Sequence, residues 1–354
     1  MSRPTFHSLR VARVDRLCAD AVAITFEVPD ELAEQYTFKP GQYLTLRQDI
    51  EGVDERRSYS ICAPAGAPPR IGVRRVDGGL FSAELVDSLV PGAVLEVLPP
   101  LGKFTPSGRE PAHHCCIAAG SGITPVLSIV STVLAADSDS QVTLLYGNRR
   151  TDTVMFAEDL ADLKDRYRSR FQLVHILSRE PRDVELFSGR LDAQRLRALL
   201  DGIVPTADVD HWWLCGPYGL VQDATGVLND RGVPADRIHH ELFYVDEPPP
   251  PPKRIDESEV DGPTAEVTVI LDSKETTLTL PVHTPILDAA QRIRADLPFA
   301  CKGGVCGTCR AKLTAGKVTM RRNYALEPTE LAQGFILTCQ SLPTTAELTV
   351  NYDA

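Results

Sequence analysis

Residues 301–309 read CKGGVCGTC and carry three of the nine cysteines of this 354-residue chain, and a fourth cysteine stands further on in LTCQ, residues 337–340. The spacing, C-x4-C-x2-C-x29-C, is the plant-type arrangement of thiolate ligands for a [2Fe–2S] cluster, with three ligands on one tight loop. We therefore expect a cluster held by four residues: Cys301, Cys306, Cys309 and Cys339.

The glycines of the same loop favour a cluster. Gly303, Gly304 and Gly307 let the backbone curl around inorganic sulfur atoms and direct its N–H groups at them, which stabilises an anionic cluster. A structural zinc site is the alternative, because four cysteines also satisfy Zn²⁺. Zinc ribbons usually present two short Cys-x2–4-Cys pairs, whereas the fourth cysteine here stands alone in an apolar stretch.

The segments before the loop predict a small β-grasp domain over residues 263–354. EVTVILDS (266–273) and TTLTLPVH (276–283) read as a hairpin, and ILDAAQRI (286–293) reads as a short helix. Upstream, a five-proline run followed by charged sequence, DEPPPPPKRIDESEVDG, predicts a linker over residues 246–262.

Two further domains precede the linker. Short apolar runs separated by turn signals predict an antiparallel β-barrel or sandwich over residues 1–108. Beyond His113, strands alternate with helices of about ten or more residues, which indicates a parallel α/β domain over residues 109–245. The expected fold class is therefore multidomain α/β and β.

Composition and charge exclude two classes of protein. The formal net charge of −11, without a basic stripe, argues against binding to nucleic acid. No run approaches the roughly 18 apolar residues of a membrane span, so we expect no membrane partner. The arginine-containing N-terminus lacks the apolar stretch of a secretory signal, and a cytoplasmic location is expected.

Two short motifs in the first domain suit a flavin nucleotide. Arg57-Ser58-Tyr59-Ser60 supplies a guanidinium for a pyrophosphate, a ring to stack on an isoalloxazine and a hydroxyl for flavin N5. Gly78-Gly79-Leu80-Phe81-Ser82 begins a helix-like run whose N-terminus suits a phosphate. Each motif alone is weak, because such residues usually form a surface cation beside a half-buried aromatic, or a capped turn.

Two motifs in the second domain suit a nicotinamide. Gly120-Ser121-Gly122-Ile123-Thr124-Pro125 lies between a strand and a helix, where glycines permit close approach of a dinucleotide, although it is not the GxGxxG pattern. Cys215-Gly216-Pro217 follows the strand-like HWWL at the expected carboxyl end, the edge where open α/β sheets bind ligands. A buried structural cysteine is the alternative for Cys215.

In this order, RSYS, GGLFS, GSGITP, CGPYGLVQDA and a terminal ELF resemble the ferredoxin–NADP⁺ reductase superfamily over residues 6–245, and residues 263–354 look like a plant-type ferredoxin. The fused order of domains is similar to that of the reductase components of multicomponent oxygenases. The resemblance implies a flavin-binding barrel, a nicotinamide-binding α/β domain and a ferredoxin domain. It implies cofactor-binding roles for Arg57, Tyr59, Ser60, Gly79, Ser82, Gly120, Gly122, Thr124, Cys215, Gly216 and Phe243, and catalytic roles for Ser60, Cys215 and Glu241. A plain core aromatic is the alternative for Phe243.

Cofactor preference depends on Ser178 and Arg179, which follow the strand-like FQLVHIL. NADPH-specific members of the superfamily carry a similar pair for the 2′-phosphate, which an arginine fork suits chemically. We expect NADPH as electron donor and FAD as the flavin. FMN stays an alternative, because related fused reductases can use it and no segment visibly cradles adenine.

These cofactors predict an electron-transfer reductase. A nicotinamide gives up two electrons at once and a cluster accepts one, and a flavin can do both. The resemblance implies a di-iron oxygenase component as the electron acceptor. One alternative is the reductase of another ring-hydroxylating oxygenase or monooxygenase, with NADH as an alternative donor, and another is a binding module with a structural metal and no redox role.

Overall fold

The computed structural model describes residues 5–50, 52–108, 110–243, 263–294 and 296–354. The chain divides into two compact units, Met1–Phe243 and Tyr244–Ala354. The linker expected over residues 246–262 lies outside the described residues. No helix in the described ranges is long and apolar enough to cross a membrane.

The first unit begins with an antiparallel sheet in the order β4-β3-β6-β1-β2-β5. It closes on itself, because Ile61 forms a bridge with Ile71 and the Cys62 amide donates to the Arg70 carbonyl at 2.8 Å. The predicted barrel is thereby confirmed. Its strands are β1 His7–Cys18, β2 Ala21–Glu27, β3 Tyr43–Ile50, β4 Val53–Ser60, β5 Arg70–Arg74 and β6 Val94–Val97, and helix α1 spans Leu80–Asp87.

A five-stranded parallel sheet follows, in the order β11-β10-β7-β8-β9. Its elements alternate as predicted: β7 His113–Ala119, α2 Ile123–Ala136, β8 Gln141–Asn148, α3 Ala157–Arg166, β9 Phe171–Leu177, α4 Ala193–Gly202, β10 His211–Gly216, α5 Tyr218–Asp230 and β11 Ile238–Leu242. The chain leaves β7 toward β8 and later returns to the other side of β7 as β10. Ligands of open α/β sheets bind at the carboxyl ends of strands at such a switch point.

The barrel and the parallel sheet share one hydrophobic core. Barrel residues Ala23, Cys62 and Phe104 pack in the same buried cluster as Cys116 and Ile129 of the α/β region. The residues that follow β4 and β5 therefore have fixed positions relative to the carboxyl ends of β7 and β10.

The second unit is a mixed sheet in the order β13-β12-β18-β14-β16 with a separate β15-β17 ribbon. The predicted hairpin and short helix are present, and β12 pairs parallel with β18, which completes a β-grasp arrangement. The elements are β12 Thr264–Leu271, β13 Lys274–Pro281, α6 Ile286–Ala290, β14 Arg310–Ala315, β15 Val318–Met320, α7 Pro328–Ala332, β16 Phe335–Leu337, β17 Ser341–Pro343 and β18 Glu347–Asn351.

Candidate redox sites

The four predicted cluster ligands lie together as two pairs of free thiols. Cys301 is hydrogen-bonded to Cys306, and Cys309 to Cys339. Within the described parts of the chain, no three His, Cys, Asp or Glu side chains are arranged to hold a single metal ion. Four cysteine thiols gathered at one site are the donor set of a [2Fe–2S] cluster.

The loop that carries the first three cysteines contains residues with left-handed backbone. Lys302, Gly304 and Gly307 have φ values of 49°, 81° and 69°. The Gly303 amide consequently points at Cys301 Sγ, at 3.4 Å. Hydrogen bonds from the Cys306 thiol and from the amides of the loop lower the pKa of the Cys301 thiol, and the same bond to Cys301, followed by burial, raises the pKa of Cys306.

An orphaned hydroxyl lies beside these thiols. Thr308 Oγ1 is buried and has no partner of normal hydrogen-bond geometry among the described atoms, although it is close enough to Cys306 to lower the pKa of that thiol. A buried hydroxyl without a well-placed acceptor is costly. The sulfur of a bound cluster would provide an acceptor for Thr308. The residues present therefore fit the cluster.

Hydrogen bonds from the residues on either side of Cys339 connect it to the cysteine loop. Gln340 Nε2 donates to the Lys302 carbonyl at 2.7 Å and lies 3.6 Å from Cys339 Sγ. Thr338 Oγ1 donates to the Cys309 carbonyl at 3.0 Å and accepts from the Tyr352 hydroxyl at 2.8 Å. These bonds tie the turn after β16 to the cysteine loop.

The two flavin motifs meet in the barrel. The ring of Tyr59 in β4 packs against that of Phe81 in α1, with centroids 6.2 Å apart. Arg57 lies two residues before Tyr59 on the same strand, and its guanidinium is 2.7 Å from the Glu55 carboxylate and about one-third exposed. A stacking ring and an accessible cation therefore share one strand.

The glycine turn presents the N-terminus of α1. Gly79 is the N-cap residue, and the Ser82 hydroxyl accepts from the Val76 amide at 3.0 Å and donates to the Gly79 carbonyl at 3.3 Å. Because Ser82 closes the turn, the amides of the first helical turn are the groups left for a phosphate. A shallow cleft of about 360 Å³ lies beside this turn, and Ile50, Gly78 and Leu80 contribute to its lining.

The predicted nicotinamide turn lies directly on the end of β10. Gly120 has a φ of +55°, and its carbonyl accepts from the Tyr146 hydroxyl at 3.0 Å. A Cβ added to Gly122 would lie 2.2 Å from the Cys215 carbonyl oxygen, so only glycine fits there. The structure therefore brings the GSGITP turn and Cys215 together.

The three predicted catalytic residues also converge. Cys215 is in register with Glu241 on β11, and Ser60 Oγ, from the barrel, donates to Glu241 Oε2 at 2.9 Å. Burial raises the pKa of Glu241 to about 7, and burial followed by the nearby Glu241 raises the pKa of the Cys215 thiol. A neutral thiol is a poor nucleophile, and a carboxyl that titrates near neutrality can hold or release a proton.

The predicted phosphate-selective pair lies at the carboxyl end of β9. Ser178 and Arg179 are exposed, and their amides donate to the carbonyls of Asn148 and Arg149 at 2.9 and 2.8 Å. The carboxylate of the adjacent Glu180 accepts from the Thr151 amide and hydroxyl at 2.8 and 2.7 Å. These bonds engage both oxygens of the Glu180 carboxylate, which is the acidic group next to Arg179.

The predicted cofactor residue Phe243 is half-buried and packs against the core that the barrel and the parallel sheet share.

Two residues near the nicotinamide turn were not predicted. Gly72 of β5 packs against Thr124, and a Cβ on Gly120 would lie 3.4 Å from Nη1 of Arg74. Arg74 also contacts Asp20 at 3.3 Å. The one sequence signal was a glycine within the apolar strand RIGVR, a pattern that marks close approach of another backbone or side chain.

Three protein families match successive parts of the chain. The FAD-binding domain of oxidoreductases matches residues 8–105, the NAD-binding domain of oxidoreductases matches residues 116–226, and the 2Fe–2S iron-sulfur cluster binding domain matches residues 269–344. The fold and sites define a nicotinamide-dependent oxidoreductase with FAD and a [2Fe–2S] cluster. The cofactor predictions at this level are confirmed.

Full-length relatives narrow the class. The chain is 44% identical to a subunit of 1,2-phenylacetyl-CoA epoxidase from Escherichia coli K12, over 99% of this chain and 98% of that one. It is 33% identical to the ferredoxin reductase component of 3-ketosteroid-9-alpha-monooxygenase from Rhodococcus rhodochrous, over 97% and 96%. The chain belongs to the family of three-domain oxygenase reductase components that includes these two proteins.

A solved structure shows the same fold. Phthalate dioxygenase reductase, described as a modular structure for electron transfer from pyridine nucleotides to [2Fe–2S], matches 98% of both chains with a TM-score of 0.61. Its sequence identity is 22%, so this likeness concerns the fold alone.

Proposed function

We propose that this protein passes electrons from NADPH, through FAD and the [2Fe–2S] cluster, to a di-iron oxygenase that epoxidises phenylacetyl-CoA in phenylacetate catabolism. The observation that carries the proposal is the 44% identity, over nearly the full length of both chains, to a subunit of 1,2-phenylacetyl-CoA epoxidase. The proposed division is a flavin-binding domain at 1–108, a nicotinamide-binding domain at 109–245, a linker at 246–262 and a ferredoxin-type domain at 263–354.

The ferredoxin unit supplies the one-electron end of the pathway. In the proposal, Cys301, Cys306, Cys309 and Cys339 would hold the cluster, which would supply one-electron transfer. The Gly303 amide and the Thr308 hydroxyl offer hydrogen bonds to sulfur, which stabilise negative charge on the cluster. FAD, when bound, accepts two electrons together and releases them singly.

In the proposal, residues of the first unit would position the flavin and the nicotinamide. Tyr59 and Arg57 would hold the flavin from β4, and the Gly120–Thr124 turn would hold the nicotinamide at the end of β10. Ser60 joins the two sides through its bond to Glu241. Glu241 holds a proton at its carboxyl near neutral pH, and the buried Cys215 side chain helps to exclude water from the contact.

Arg179 supports the preference for NADPH. It is exposed at the carboxyl edge of β9, and its backbone is fixed by the bond to Arg149. Guanidinium groups bind phosphate through paired, charge-assisted hydrogen bonds, so Arg179 with Ser178 suits the 2′-phosphate that distinguishes NADPH from NADH.

The second candidate is service to another oxygenase. The 33% identity to the ketosteroid monooxygenase reductase, over nearly the full length, supports this alternative. The internal sites of the two candidates would be alike, because selectivity for the acceptor lies on docking surfaces rather than at the cofactors.

Reconstitution with purified oxygenases separates the candidates. The holoprotein is mixed with an epoxidase of phenylacetyl-CoA or with a ketosteroid monooxygenase, and product formation is measured with NADPH and with NADH. The proposal expects epoxide formation coupled to NADPH oxidation. Product formation with the ketosteroid system alone, or with NADH preferred over NADPH, would contradict it.

A visible spectrum and metal analysis provide the control for cofactor content. Flavin and iron–sulfur absorption that bleaches with NADPH shows that the preparation is competent. A colourless protein containing zinc would exclude electron transfer and leave only a structural metal.

A further inference from the structure

Strand β5 of the barrel contains a glycine, Gly72, that leaves no room for a side chain against the α/β region. A Cβ added to Gly72 would lie 2.5 Å from Thr124 Cγ2 and 2.8 Å from Phe156 Cζ. The backbone of Gly72 has a φ outside the left-handed range, so the glycine is not required by its own conformation. It is required because the space above it is filled.

Phe156 is held in this position by its surroundings. It adopts a left-handed conformation, φ 59° and ψ 33°, as the N-cap residue of α3, and it is fully buried. The guanidinium of Arg70, two residues before Gly72, lies 5.3 Å from the centre of the Phe156 ring and 2.7 Å from Asp159 of α3. A non-glycine residue persists in this strained region only when its contacts enforce it. Phe156 therefore cannot easily yield to a larger residue at position 72.

Thr124 is the other neighbour, and it belongs to the nicotinamide turn. Its hydroxyl donates to the Ser121 carbonyl at 3.0 Å, and its methyl group rests against Gly72. On the far side of the turn, Gly122 lies against the Cys215 carbonyl with no room for a Cβ. The turn is consequently confined between the barrel and β10.

We propose that Gly72 is a positioning residue for electron transfer from nicotinamide to flavin, because its missing side chain sets how deeply the Gly120–Thr124 turn seats against the flavin barrel. An alanine at this position would have to displace the Thr124 methyl by about 1 Å to restore van der Waals contact. Cys215 blocks retreat of the turn, so the displacement shifts the bound nicotinamide relative to the flavin. Misplacement of reacting groups by about 1 Å can lower a rate by about 100-fold.

The test compares Gly72→Ala with the wild-type holoprotein, using whichever nicotinamide coenzyme the wild type prefers. We expect flavin reduction in a single turnover to slow about 10- to 100-fold, and the long-wavelength absorbance of the oxidised coenzyme–flavin complex to weaken. Flavin and iron content should not change. Gly226→Ala is the matched control, because outside its chain neighbours and its own helix backbone no described atom lies within 4 Å of a Cβ added there. It should behave as wild type.

Rescue identifies the contact responsible. Thr124→Ser removes the methyl group that a Cβ at position 72 would strike and keeps the hydroxyl bonded to Ser121. In the Gly72→Ala background it should recover several-fold of the lost rate and part of the absorbance, with the remainder lost to Phe156. A Gly72→Ala variant equal to wild type, or a slow variant that Thr124→Ser does not improve, would overturn the proposal.

A second variant decides the matter if Gly72→Ala does not fold. Thr124→Ser in the wild-type background removes the methyl group that packs against Gly72 and adds no bulk. The coenzyme–flavin absorbance should therefore weaken while flavin content is retained. An unchanged absorbance and an unchanged rate of flavin reduction would refute the positioning role. Failure of the wild type to accept electrons from either coenzyme would instead contradict the function assigned to the whole protein.

Discussion

The cysteine loop and the flavin–nicotinamide junction are built in opposite ways. Three of the four expected cluster ligands lie within nine residues, and the backbone that orients them is that of the same loop. The junction is assembled from separate segments, and the bond between Ser60 and Glu241 joins residues 181 positions apart. The first site is local in sequence, and the second exists only after folding.

The cysteines of the two regions illustrate the same difference. Loop hydrogen bonds lower the pKa of Cys301, bonds to neighbouring cysteines and burial raise those of Cys306 and Cys309, and burial raises the pKa of Cys215. Cys301 has loop amides directed at its sulfur, whereas Cys215 lies in apolar packing that suits a neutral side chain. Loss of a ligand in the loop should therefore abolish electron transfer to the oxygenase, while changes at the junction should alter the rate of flavin reduction.

The largest effect is expected from Cys306→Ala. Loss of one of four ligands should remove the [2Fe–2S] absorbance and reduce oxygenase-coupled turnover to background. Flavin reduction by NADPH should stay within about twofold of wild type, because sites without shared residues act independently. Cys18→Ser, at a half-buried cysteine outside the loop, is the control. Retention of full coupled turnover by Cys306→Ala would mean that the loop does not hold the cluster.

The second-largest effect is expected from acid, through the contribution of a buried histidine to the stability of the first unit. The Trp213 indole donates to His114 Nδ1 at 3.1 Å, and burial, followed by the nearby His211, lowers the pKa of His114 to about 4. The other groups facing His114 are Asp210, His113 and His239. At His114 the folded state then binds fewer protons than the unfolded state between about pH 4 and pH 6.5. The contribution of His114 to the stability of the first unit should therefore fall by about 3 kcal/mol as the pH decreases through that range, while Glu241, whose pKa is raised, contributes in the opposite direction.

Urea unfolding followed by tryptophan fluorescence measures this loss, because both tryptophans lie in the first unit. His114→Gln should flatten the dependence on pH. His283→Gln, which changes the single histidine of residues 263–354, should leave it as in wild type. An equal pH dependence in wild type and His114→Gln would show that the buried imidazole is not the cause.

Arg179→Ala should lower kcat/KM for NADPH by about 10- to 100-fold, the cost of losing hydrogen bonds to a charged group. The value for NADH should change little, because NADH has no 2′-phosphate. Arg168→Ala, which changes an exposed arginine after α3, is the matched control. Equal losses for both coenzymes would remove Arg179 from the selectivity site.

The smallest effect is expected at Glu241. The nicotinamide ring gains positive charge as it is oxidised, so an ionised carboxylate nearby should assist. The rate of flavin reduction should rise about fivefold through pH 7, the size of a charge interaction of about 1 kcal/mol. Glu241→Gln should remove this rise. Ser60→Ala should move it to higher pH, because the hydrogen bond from Ser60 lowers the pKa of Glu241. A rise that persists in Glu241→Gln must come from another group.

Sequence patterns predicted the elements with a strong local signal. Short apolar runs between turn signals predicted the barrel, and strands alternating with helices after His113 predicted the parallel sheet. Strand β1 carries a weaker signal. It is interrupted by irregular pairing near Val11 and Cys18, and only Leu9 and Val11 are buried along its 12 residues. Because its other side chains are at least partly exposed, such a strand carries little hydrophobic periodicity.

The sequence by itself determined the order of the domains, the three cofactors and the cysteine loop, because each depends on residues that are close together in the chain. Only the tertiary structure brought Ser60 to Glu241, placed Gly122 on Cys215 and seated Thr124 against Gly72. Those contacts depend on how the barrel packs on the parallel sheet. The packing is fixed by a core drawn from the whole first unit, and no short stretch of sequence contains it.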